Sequence, residues 1–179
     1  MLFKLLTYGL LLWLAVWGYR QYQQPSQRLS VGALAPDFTL PDQAGQSRSL
    51  KDWQGQWLIL YFYPKDDTPG CTREACHFRD DIQQFRTLGA QVVGISVDTV
   101  ASHGDFARKH GLQFPLLADT NGKVADRYGA LFDLVVFQAA RRMTYLIDPQ
   151  GRIAQSYVGV DPDRHSQALL ADLKRLSAH

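Results

Sequence analysis

Two thiols are the most reactive groups this chain offers. Cys71 and Cys76 are its only cysteines, and they stand five residues apart. They follow Trp57 to Tyr63, an apolar and aromatic run of strand length that breaks at Pro64. A polar loop with the step Pro69-Gly70 comes next, and a helix is expected to open near Cys71. A cysteine in a first helical turn faces unpaired backbone N–H groups and the positive end of the dipole, which favour thiolate over thiol. The thiolate is the nucleophile. The spacing therefore suggests a reactive sulfur with a second thiol close by. The same pair could also be buried and inert, or a structural disulfide.

Pro64, Thr68 and Cys71 fill the pattern Pro-x-x-x-Thr-x-x-Cys. The longer string Tyr61-Phe-Tyr-Pro-Lys-Asp-Asp-Thr-Pro-Gly-Cys-Thr-Arg-Glu-Ala-Cys76 resembles the peroxiredoxins, and among them the Q-type or bacterioferritin-comigratory subfamily. The resemblance runs from about Val31 to the C-terminus. It implies that Cys71 attacks a peroxide and that Cys76 resolves the product. It implies that the Thr68 hydroxyl orients the peroxide and that Pro64 shields the sulfur. It also implies an arginine ahead of a late strand that reaches the sulfur, here Arg142, with Arg141 as the alternative. A guanidinium suits that task because its charge is permanent and its donors are forked. Without the resemblance, Arg142 reads as a strand-end surface residue and Thr68 as a capping or turn hydroxyl.

The implied activity is a thiol-dependent peroxidase acting on hydrogen peroxide or organic hydroperoxides. It would pass through a Cys71 sulfenic acid and a Cys71–Cys76 disulfide that a thioredoxin-like dithiol reduces, with no metal or organic cofactor. Two other readings stand beside it. A thiol–disulfide oxidoreductase on the same fold normally carries Cys-x-x-Cys, whereas the spacing here is wider. A peroxide-sensing redox switch would use the same disulfide as a signal. On one continuous helix, a five-residue step separates the two Cα atoms by roughly 8–9 Å, beyond the ~4.4–6.8 Å of a disulfide. Oxidation is therefore expected to unwind about Cys71 to Arg79.

The surrounding charges are less informative. Asp66 and Asp67 are adjacent loop carboxylates, for which solvation is the default. Glu74 suits a first helical turn but would repel a thiolate, so it is expected to point away. His103 and His110 share a helical face with no partner evident by spacing, and His77, His165 and His179 form no cluster with them. No metal site is expected. No glycine-rich phosphate loop is present.

The elements that must position these groups alternate. Short strands are expected at Asp37–Pro41 and Ser47–Leu50, and buried strands at Trp57–Tyr63 and Gln91–Val97. One helix is expected over Thr72–Leu88, ended by Gly89, with Ala75, Phe78, Ile82 and Phe85 on one side. Further helices are expected at Ala101–His110, Lys123–Tyr128 and Asp163–Leu176. Remaining strands are Phe114–Leu117, Met143–Ile147 and Ile153–Val158, the last two joined by the turn Asp148–Gly151. This order suits an α/β thioredoxin-like sandwich, a central mixed sheet flanked by helices.

At 179 residues, with 46% hydrophobic and 20% charged content, the chain can hold one domain and a short appendage. A net charge of +2 gives no reason to expect a nucleic-acid partner. Residues 1–20 are expected to form an N-terminal hydrophobic helix, a transmembrane or signal-anchor segment. Leu5 to Tyr19 is uncharged, reaches roughly 28 Å as a helix when counted from Leu2, and ends in Trp13, Trp17 and Tyr19. A cleaved signal peptide is the rival reading. Residues 21–30 read as a polar linker and 31–179 as the catalytic domain, expected to act as a monomer. Lys4 on one side and Arg20 and Arg28 on the other nearly balance, with the non-cytoplasmic side favoured for the domain.

Overall fold

The computed structural model describes residues 28–134 and 137–177. The strand ahead of the cysteines, β3 (Trp57–Phe62), is the middle of the main sheet. An antiparallel ribbon, β1 (Thr39–Pro41) with β2 (Ser47–Ser49), and a short 3-10 turn (Leu50–Trp53) precede it. After it come α1 (Pro69–Asp80), α2 (Ile82–Thr87), β4 (Ala90–Ser96), α3 (Val100–His110), β5 (Leu116–Ala118) and α4 (Lys123–Arg127). The chain closes with β6 (Leu131–Leu134), β7 (Phe137–Ala140), β8 (Met143–Ile147), β9 (Ile153–Val158) and α5 (His165–Ser177).

The main sheet has the order β5-β4-β3-β8-β9. β3 runs parallel to β4 and antiparallel to β8, so the sheet is mixed. Its middle strand β3 is apolar throughout, and β4 and β8 nearly so, because both faces are covered. Alternate residues serve two cores. Ile59 and Tyr61 join Cys71, Ala75, Phe78, Ile82, Phe85, Phe106 and Leu169 on the face covered by α1, α2, α3 and α5. Leu58, Leu60 and Phe62 join Phe38, Trp53, Val124, Tyr128 and Tyr145 on the other. This is the expected thioredoxin-like sandwich.

Three differences from the sequence reading matter. The expected helix over Thr72–Leu88 begins earlier and is two helices. Thr68 takes the N-cap position with Pro69 next, where a missing N–H costs nothing. The helices part at Asp81, whose carboxylate accepts from Ser166 Oγ (2.6 Å) and Gln167 Nε2 (2.8 Å) of α5. The β6–β7 ribbon was not expected, since Leu131 to Ala140 has no glycine, proline or asparagine to signal its turn.

The third is a correction of location. The expected membrane-anchored placement, with the domain beyond the cytoplasm, does not stand. Among the described residues no helix is long and apolar enough to cross a membrane. The stretch 1–20 that carried that expectation lies outside the described residues.

Candidate active site

Cys71 sits in the first turn of α1, and the first helical backbone bond there runs from Thr72 N to Thr68 O at 2.9 Å. The amides of Gly70 and Cys71 precede that bond and lie at the positive end of the dipole. Cys71 is only 2% exposed. Arg142, between β7 and β8, reaches it and donates from Nη2 to Sγ at 3.2 Å. Gly70 keeps that path open, because a Cβ there would stand 3.2 Å from the same Nη2. The neighbouring Arg141 turns away and donates to the Leu131 carbonyl at 3.3 Å.

The other arm of Arg142 is taken by Glu74. Nη1 donates to Glu74 Oε2, and the carboxylate is 1% exposed with Oε1 buried and unpartnered. Glu74 was expected to point away from the sulfur. Instead, three residues along the helix from Cys71, it faces the same guanidinium. Burial pushes its pKa up to about 7, while the charge and hydrogen bond of Arg142 pull the other way. Burial also lowers the pKa of Arg142, but Glu74 and Cys71 outweigh it and the net direction is up. His165 packs nearby with Nε2 2.8 Å from Thr144 Oγ1. Burial, then repulsion from Arg142, lower it to about 4, so it is neutral near pH 7.

Thr68 donates its hydroxyl hydrogen to Lys65 O at 3.0 Å, which leaves Oγ1 lone pairs to accept. Its side chain makes no N-cap bond. Pro64 is partly buried at the head of the loop. Cys76 is a partly buried free thiol on the same helix as Cys71. With unbroken helical geometry the two Cα atoms are roughly 8–9 Å apart, so this is the form without the disulfide.

Solvation was the expectation for both loop carboxylates, and it holds for exposed Asp67 but fails for Asp66. Asp66 is not solvated but 6% exposed. Its Oδ1 accepts from Tyr63 OH at 2.8 Å, and its Oδ2 accepts from Ser102 Oγ at 2.7 Å and lies 2.8 Å from His103 Nδ1. Asp67 turns outward to Lys109 Nζ (2.9 Å) and His110 Nε2 (3.1 Å), with φ of 56°. A left-handed residue reverses the direction of successive side chains, and the spacing of two adjacent aspartates carries no sign of it.

The AhpC/TSA family model matches residues 31–156. A Coxiella burnetii protein named as a peroxiredoxin bcp is 45% identical over 141 residues, which are 76% of this chain and 93% of that protein. Bacillus subtilis peroxiredoxin Bcp is 38% identical over 154 residues, covering 83% of this chain and 98% of its own length. Among solved structures, the peroxidoxin BcpB of Mycobacterium tuberculosis is similar with a TM-score of 0.79 at 36% identity, over 83% of this chain and 99% of that one. By length matched, identity and fold, the chain belongs to the AhpC/TSA family, in its peroxiredoxin Q/Bcp branch.

Proposed function

We propose that this chain is a thiol-dependent peroxidase in which Cys71 is the peroxidatic cysteine and Cys76 resolves it. The supporting observation is the forked Arg142, with one arm on Cys71 Sγ and the other on buried Glu74. A buried sulfur thereby gains a fixed cation in addition to the helix start.

The Cys71 thiolate attacks one oxygen of the peroxide. An S–O bond forms as the O–O bond breaks, and the sulfur is oxidised to sulfenic acid. The leaving oxygen takes up a proton and departs as water or alcohol. Arg142 stabilises the charge as it moves from sulfur to that oxygen. Thr68 Oγ1, with its own hydrogen committed to Lys65 O, accepts from the peroxide O–H. Pro64 covers the approach. Cys76 sulfur then displaces the hydroxyl of the sulfenic acid, which leaves as water as the disulfide forms. The first turns of α1 unwind to bring the sulfurs together. A thioredoxin-like dithiol reduces the disulfide by exchange. Both cysteines lie on one helix, which supports resolution within one chain; a monomeric working unit and a catalytic domain over residues 31–179 are part of this proposal.

Mixing reduced protein with one equivalent of hydrogen peroxide tests this. The Cys71 thiol should be lost orders of magnitude faster than free cysteine reacts, and the Cys76 thiol should follow as the disulfide forms. Loss at the rate of free cysteine would overturn the proposal.

A further inference from the structure

The loop between β3 and α1 carries Thr68, yet it is held by residues that lie on neither of the cysteine's neighbours in the helix nor on Arg142. Asp66 is the point of attachment. Its backbone N–H donates to Asp98 Oδ2 at 2.9 Å, and Ser96 Oγ donates to the same oxygen at 2.7 Å. Its carboxylate binds Tyr63 OH, Ser102 Oγ and the His103 ring. His103 is fully buried, and its Nε2 lies 3.2 Å from the Leu117 carbonyl of β5. A carbonyl only accepts, so Nε2 carries a hydrogen and the ring orientation is fixed. Desolvation raises the Asp66 pKa, but His103, Ser102 and Tyr63 outweigh it and hold the carboxyl low. Asp67 adds a second attachment, to Lys109 and His110 at the far end of α3.

These partners lie on β4, α3 and β5, at Tyr63 just after β3, and at Asp98 between β4 and α3. None belongs to α1, the helix that must open for Cys71 to meet Cys76. The ties of α1 itself run to Asp163, which Arg73 meets at 2.9 Å, and to His110, whose carbonyl accepts from Arg79 Nη1 at 2.7 Å while its ring meets Asp67. The Asp66 bridge therefore contains no residue of α1, although Asp67 and α1 share His110.

We propose that His103, acting through Asp66, is a positioning residue that keeps Thr68 aimed at the peroxide site while α1 opens and closes. The inference rests on reading Cys71 as the peroxidatic nucleophile. It assigns the bridge to the peroxide step and not to resolution. A network that served stability alone would affect both steps together.

Stopped-flow fluorescence of the reduced full chain with hydrogen peroxide separates the second-order oxidation of Cys71 from first-order disulfide formation. Asp66→Ala should lower the second-order constant by ~10- to 100-fold, the size of effect that follows a misplacement of about 1 Å. Disulfide formation should keep its rate, and the ultraviolet absorbance of the Cys71 thiolate should be unchanged. Asp66→Asn keeps an acceptor for Ser102 and His103 and should restore the constant to within about threefold. His103→Gln, which keeps bulk but cannot span from Asp66 to Leu117, should lose ~10-fold, and it decides the matter if Asp66→Ala does not fold. A folded Asp66→Ala or His103→Gln protein with a wild-type peroxide constant would overturn the inference. So would equal slowing of both steps, or no rescue by Asp66→Asn. Wild-type protein inert to peroxide would instead overturn the peroxidase reading itself.

Discussion

Glu74→Gln should change how stability depends on pH, by an amount set by where the carboxyl sits. Burial raises its pKa from 4.5 to about 7, against the opposing pull of Arg142. An acid with a raised folded pKa keeps its proton in the native state after the unfolded chain has released it. Its contribution to stability is therefore full below pH 4.5 and falls as pH rises to about 7. At ~1.4 kcal/mol per pH unit, the gap amounts to about 3 kcal/mol. Glu74 is 1% exposed, so water screens little of it. Glutamine has no proton to release. Urea unfolding of the reduced wild type and variant should show the wild type losing about 3 kcal/mol more than the variant between about pH 4.5 and about pH 8. Ionisations remote from Glu74 occur in both proteins and cancel in the difference. A difference that stays within ~0.5 kcal/mol across that range would refute the reasoning, and would mean that Glu74 is ionised and paired throughout.

Other outcomes follow from the same geometry. Arg142→Ala removes a donor aimed at the reacting sulfur and should slow the peroxide step by ~10²- to 10³-fold, with Arg142→Lys recovering only part because it lacks the fork. An unchanged peroxide constant in Arg142→Ala would reduce the residue to packing. Gly70→Ala places a Cβ 3.2 Å from Arg142 Nη2, so the guanidinium must move a few tenths of an ångström and the peroxide step should slow while unfolding stability changes little. Hydrogen exchange across Thr72 to Asp80 should speed up on oxidation and recover on reduction. Equal protection in both states would argue against unwinding of α1.

The mixed sheet was legible because its strands are short apolar runs bounded by turn residues, as in Trp57 to Phe62 ahead of Pro64. Pro64, Thr68, Cys71 and Cys76 could be singled out in the sequence because their spacing is local, and the structure sets Thr68 at the N-cap of α1 with both cysteines on that helix. Glu74 was misjudged because its neighbour Arg142 lies 68 residues away, and only the β3–β8 pairing brings the guanidinium over α1. Without that cation a buried carboxylate beside a thiolate would indeed be repelled. Asp66 and His103 were missed for a similar reason, being 37 residues apart and joined through the parallel β3–β4 pairing. The break at Asp81 escaped notice because the groups its carboxylate meets there, Ser166 and Gln167, lie on α5.

The most direct test of the central claim is to map the sulfurs by mass spectrometry after a single addition of hydrogen peroxide. Wild-type protein should show a Cys71–Cys76 disulfide within one chain. Cys76→Ser should gain one oxygen on Cys71 at the wild-type rate and then stall until an external thiol resolves it. Cys71→Ser should stay reduced. A Cys71→Ser protein that oxidises quickly at Cys76, beside a Cys76→Ser protein that hardly reacts, would contradict the account and reverse the two roles.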